Sequence, residues 1–144
     1  MASNFKLKII TPERIVLETE ADMLTATARD GELTILPNHE PLVTALGIDM
    51  LTYRSEGTEY SAAVIGGILE VDTKEVHVLS DHAELGIEID EARATHAKER
   101  AEAEKTQKKD KLDQYLTEMA LAKAIARLRA VEFAKSRKKR HTRG

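Results

Sequence analysis

The segment Glu88–Arg100, EIDEARATHAKER, sets two arginines, Arg93 and Arg100, seven residues apart. In a helix that spacing returns both to one face, roughly 10 Å apart along the axis. Guanidinium groups so arranged can hold phosphate oxygens in bidentate pairs, and Lys123 and Arg127, four apart, can add cations from a second helix. The same residues also read as an ordinary helix start, with Asp90 as its cap and Glu91 beside the positive N-terminus. Arg93 and Arg100 then simply meet water. Spacing alone leaves both readings open.

Other chemistry is sparse. The five histidines (His39, His77, His82, His96, His141) are scattered without metal-ligand spacing. No nucleophile elbow and no G-x-x-x-x-G-K-[ST] loop occurs. Gly66-Gly67 is not a dinucleotide fingerprint and reads as a tight turn or a close backbone contact between strands. The chain therefore reads as a non-enzyme without a required cofactor or metal. In DGELTILPNHEPLVTALG, Asn38 after Pro37 suits a positive φ. Glu32, Asn38, His39 and Glu40 then sit at loop tips, solvated or open to a partner. The tail KSRKKRHTRG is densely basic, yet the few aromatics do not interleave with it, which argues against nucleic-acid stacking.

These residues need elements to position them. A chain of 144 residues supports one domain, or a small domain with an appendage. It contains no run long enough to span a bilayer, no signal-peptide pattern and no cysteine, which suits a reducing compartment. The net charge of −3 hides a division. Residues 1–89 carry 6 Lys+Arg against 16 Asp+Glu, and residues 90–144 carry 16 against 9, giving −10 and +7. Such asymmetry points to two units with different partners.

The first half alternates. NFKLKII sets Phe5, Leu7 and Ile9 opposite Lys6 and Lys8, and similar short runs follow. Turn signals at Thr11-Pro12, Asp30-Gly31, Pro37-Asn38, Glu56-Gly57, Gly66-Gly67 and Asp72-Thr73-Lys74 divide them. This predicts an antiparallel β-sandwich or barrel. From Asp90 to Arg143 there is no Gly or Pro, and strong helix formers dominate. Ala94, Ala97 and Ala101 form a small-residue face; Leu121, Ile125 and Leu128, with Leu112, Leu116 and Met119 before them, form an apolar one. Asp110 or Asp113 can cap a second helix after KTQKKDK. Two states are open: a hairpin packed Ala-to-Ala on the sheet, or one rod of roughly 75 Å.

The motifs resemble the epsilon subunits of bacterial and plastid rotary ATP synthases, from about Phe5 to Lys135. GELTILPNHEPLVTAL (Gly31–Leu46) is similar to the family's G-E-L-G-I-L-P-G-H-A-P-L-L-T-A-L. GGILEVDTKEVHVLSD, IDEARA and LAKAIARLRAVE follow in the family's order. The resemblance implies an α+β chain: a sandwich of about ten short strands over residues 1–87, then a helical hairpin or regulatory arm with a basic tail over 88–144. It implies a non-catalytic central-stalk subunit that couples rotation of the c-subunit ring to ATP synthesis and restrains ATP hydrolysis. Its partners would be the gamma subunit, the c-subunit ring and the catalytic α and β subunits, with no nucleic acid and membrane association only through the complex. The implied location is the cytoplasmic face of the bacterial inner membrane, in preference to the thylakoid. Glu32, Asn38 and His39 correspond to the ring-facing loop. Lys123, Arg127, Arg129 and Lys135 would meet an acidic segment of the β subunit. The ATP motif I/L-D-x-x-R-A is matched by Ile89, Asp90, Arg93 and Ala94, with Glu84, Arg100, Lys123 and Arg127 as accompanying ligands and ATP as a regulatory ligand. Lys123 stands where tight binders usually carry arginine, keeping the charge without the planar fork. An alternative of another class is a free-standing nucleotide-sensing adaptor with a mobile hairpin.

Overall fold

In the computed structural model, residues 3–107 and 110–143 are described, with the side chains of 138–143 left aside. Eight strands among them precede two helices: β1 (Phe5–Ile10), β2 (Ile15–Ala21), β3 (Met23–Ala28), β4 (Gly31–Ile35), β5 (Leu42–Ser55), β6 (Thr58–Val71), β7 (Glu75–Leu79), β8 (Ala83–Leu85), α1 (Glu91–Lys105) and α2 (Lys111–Arg143). Hydrogen bonding runs in the order β2-β1-β7-β6-β5-β3-β4, and β8 pairs with β6. Among these pairings only β1 and β7 run parallel.

The alternation in β1 works as the sequence predicts. Phe5, Leu7 and Ile9 are buried, while Lys6 and Lys8 lie outward, 3.7 and 3.9 Å from Glu18 on β2. Leu24 and Ala26 of β3, Leu51 and Tyr53 of β5, Val64 and Leu69 of β6, and Val76 and Val78 of β7 join them in one core. The sheet has to fold over itself to bring these strands together, and β6 is where it does so. Ala62–Val64 pair with β8, whereas Ile68–Val71 pair with β7.

The count of eight, against about ten expected, follows from that fold-over. Gly66-Gly67 does not end a strand. Both residues have positive φ, 70° and 127°, inside a continuous β6 whose register with β5 is unbroken. A Cβ on Gly67 would sit 2.1 Å from the Leu79 carbonyl oxygen, so glycine lets β7 approach. Glu56-Gly57 is a true turn: both φ values are positive and Ser55 pairs with Thr58, a two-residue hairpin loop.

The hairpin state is the one present. Asp90 Oδ1 accepts from the Arg93 N–H at 3.1 Å and caps α1, which ends at Thr106. Of the two candidate caps for α2, Asp110 serves, its Oδ1 accepting from the Asp113 N–H at 2.9 Å. Lys108 and Lys109 of the linker lie outside the described residues. Helix α1 packs on α2, and α2 packs on β5 and β6.

The packing residues are small. Ala94 and Ala101 on α1 are buried, as are Thr117, Ala124 and Val131, seven apart on α2. On another side of α2, Ala126 and Ala130 meet Ala63 of β6, with Ile48, Met50 and Ile89 around them. Two expectations need correction. Ala97 is exposed, because it lies about 60° around the helix from Ala94 while Ala101 lies about 20° away. Leu112, Leu116 and Ile125 are exposed as well, and Leu121, Leu128 and Met119 are only half-buried. Alanine contacts bring the backbones too close to admit large side chains, which are displaced to the seam's edges.

Candidate functional site

Three acids from three different elements receive three of the cations of α2. Arg127 Nε donates to Glu84 Oε1 of β8 at 2.7 Å. Arg129 donates to Asp49 Oδ1 of β5. Lys135 Nζ lies 2.5 Å from Glu91 Oε2, at the start of α1, and that hydrogen bond holds its ammonium above its ordinary range. Asp49 is itself fixed: its carboxylate accepts from Met50 N–H at 2.7 Å and from Thr27 Oγ1 at 2.9 Å. The clasp closes around an apolar contact. Ser61 Oγ donates to the Ala130 carbonyl at 2.7 Å, and Gly86 lies directly against that carbonyl.

Of the candidate nucleotide residues, Glu84, Ile89 and Arg127 are brought to this contact. Glu84 and Arg127 are paired, and Ile89 packs beside Ala126 and Ala130. Ala94 is buried, and the Asp90 carboxylate is occupied by the α1 cap. Arg93 and Arg100 are exposed and Lys123 is half-buried; among the described residues none of the three pairs with an acid. The candidate set thus holds one neutralised arginine and three cations without an acid partner among the described residues. A cleft of about 500 Å³ beside the hairpin, between Met50, Lys98, Ile125, Arg129 and Phe133, uses none of these residues.

In the sandwich, Glu32 and Asn38 are exposed and His39 is half-buried. Asn38 has φ 65°, as the Pro-Asn turn predicts. The His39 ring Nδ1 lies 2.8 Å from the Glu40 carbonyl, which orients the imidazole at the loop tip. Leu36 beside it is also exposed.

Sequence reasoning missed two of the acids that hold the arm. Asp49 is one acid in an alternating strand and Glu91 an acid at a helix start; only their tertiary neighbours show that they hold the arm. Gly86, the glycine nearest the helical half, carried a weak signal.

The fold and its ion pairs define a two-part class of protein, a β-sandwich with a docked, charge-clasped helical hairpin. The match to known proteins is more particular. Residues 4–86 fit the beta-sandwich domain of the ATP synthase Delta/Epsilon chain, and residues 88–132 its long alpha-helix domain. The ATP synthase epsilon chain of Desulforamulus reducens is 44% identical over 132 residues, 92% of this chain and 100% of that one. That of Syntrophomonas wolfei is 44% identical, covering 90% and 96%. A chain in the Euglena gracilis mitochondrial ATP synthase OSCP/F1/c-ring structure has the same fold, with TM-score 0.76 and 24% identity over 93% of this chain and 82% of that one. This chain belongs to the ATP synthase delta/epsilon chain family, as an epsilon-type, non-catalytic subunit. Among the described residues no helix is long and apolar enough to cross a membrane.

Proposed function

We propose that this epsilon-type subunit works in the central stalk of a rotary ATP synthase as both coupling element and brake. Its sandwich would bind the gamma subunit and the c-subunit ring, the latter through Glu32, Asn38 and His39, and transmit torque to ATP synthesis. It would sit with the catalytic α and β subunits at the cytoplasmic face of the membrane, held there by the complex. The α2 arm would restrain ATP hydrolysis when it leaves the sandwich.

One observation carries the regulatory part. Arg127, Arg129 and Lys135, cations expected to meet the β subunit, are each taken by an acid of the docked state. The same charges cannot serve both partners, so docking and inhibition compete. ATP would favour docking through Arg93, Arg100 and Lys123, beside the Glu84–Arg127 pair. Phosphate bound there offsets the mutual repulsion of cations on two helices.

The test is ATP hydrolysis by the reconstituted catalytic complex, with the whole chain or with one truncated after Ile89. The whole chain should give the lower rate at low ATP, with the difference shrinking at high ATP. Equal rates throughout would remove the regulatory reading. Stable co-purification with gamma and the c-subunit ring checks the coupling role and separates it from a free-standing adaptor.

A further inference from the structure

Helix α2 continues to Arg143, eleven residues beyond the point where the match to the family's long alpha-helix domain ends at residue 132. Among the described residues, an ion pair and a cation–ring contact tie that extension to the rest of the fold. Lys135 reaches Glu91 at the start of α1. Arg137 lies over the Tyr60 ring of β6, its guanidinium carbon 4.8 Å from the ring centroid. Tyr60 stacks on Tyr53 of β5, with centroids 5.3 Å apart and planes 19° from parallel. Tyr53 is 5% exposed and belongs to the sandwich core. The chain of contact runs from the basic end of α2 through two rings into the core.

We propose that this extension is a built-in latch: Arg137, seated on the Tyr60–Tyr53 stack, holds the hairpin docked and opposes release of the arm. The latch rests on the reading that the arm undocks, and three features of its placement support it. First, Arg137 lies eleven residues beyond Ala126, about 16 Å along the same helix, so its contact acts on the rod that forms the Ala126–Ala130 seam. Second, among the described residues Arg137 pairs with no acid, so the Tyr60 ring is its partner. Third, Tyr60 cannot yield without disturbing Tyr53, which is anchored in the core. A cation over a partly exposed ring should shift the docking equilibrium about two- to fivefold, equivalent to about 0.5–1 kcal/mol.

The chain has no cysteine, so a single thiol reports cleanly. Ala63 lies 1% exposed beneath α2. With Ala63→Cys in the full-length chain, the rate of labelling by a thiol reagent measures undocking. Arg137→Ala, Tyr60→Leu and truncation after Ser136 should each speed labelling about two- to fivefold, and Arg137→Lys less. Ala130→Leu, which crowds the seam, serves as the opened control. Unchanged labelling in Arg137→Ala and in the truncated chain, with fast labelling in Ala130→Leu, would overturn the latch and leave the mobile arm intact. Slow labelling in Ala130→Leu as well would remove the mobile arm and the latch together.

Discussion

Gly86→Ala puts the docking contact under direct strain. Gly86 does not need a positive φ, so alanine costs nothing in backbone conformation there. Its Cβ would lie 2.3 Å from Ser61 Oγ and 2.7 Å from the Ala130 carbonyl oxygen. The hydroxyl can rotate away, but the carbonyl belongs to the α2 backbone and moves only if the helix moves. Overpacking costs about 1–3 kcal/mol, and losing the Ser61–Ala130 hydrogen bond adds about 1 kcal/mol. The docking equilibrium should weaken by about 2–4 kcal/mol, roughly thirtyfold to several hundredfold. In a chain that also carries the Ala63→Cys reporter, labelling should accelerate by that factor, while the circular dichroism of the strands stays unchanged. Adding Ser61→Ala should restore little, because the 2.7 Å contact with Ala130 remains. Labelling within twofold of the parent would refute the argument that docking rests on this close approach.

The charges and the buried phenol supply the other predictions. A double-mutant cycle on Glu84 and Arg127 should give a coupling of about 0.5–1 kcal/mol that shrinks with added salt, because both side chains are partly solvated. Arg93→Ala should weaken ATP binding at least about tenfold, the loss of one charge-assisted contact, and Lys123→Arg should strengthen it by restoring the planar fork; titration calorimetry measures both. Burial pushes the Tyr53 phenol up to about 12, Tyr60 raising it further and Arg137 opposing. Its folded value lies above the unfolded value of about 10, so its contribution to stability is full below pH 10 and lost as pH rises through 12. Ultraviolet titration should find one late-ionising tyrosine, later still in Arg137→Ala.

Much of the fold was legible because local rules coincide with the tertiary outcome. Period-two alternation in Phe5–Ile10, the Glu56-Gly57 turn, and the caps at Asp90 and Asp110 need only nearby residues. The misreadings have equally physical causes. Of the two readings of Gly66-Gly67, the tight turn fails and the close backbone contact holds, since it admits the Leu79 carbonyl inside a continuous strand. The large apolar residues of α2 look like its packing face, yet the buried positions are alanines with one threonine and one valine. Hydrophobicity ranks residues by transfer cost; it does not say how close two backbones come. Within the candidate site, Glu84 and Arg127 were named from the motif, while Asp49 and Glu91 carried no local mark of the pairs they make.

By itself the sequence determined two units of opposite charge, a strand-rich half, a helical half, and the motif IDEARA at their boundary. Each follows from composition and period, which act over a few residues. Tertiary structure decided the rest: that the helices fold back, that Ala126 and Ala130 meet Ala63, and that Arg127, Arg129 and Lys135 find Glu84, Asp49 and Glu91. The members of each ion pair lie more than forty residues apart in the chain, and such pairings depend on the closure of the whole sheet. Between a rod and a clasped hairpin, the choice lies in contacts no local pattern encodes.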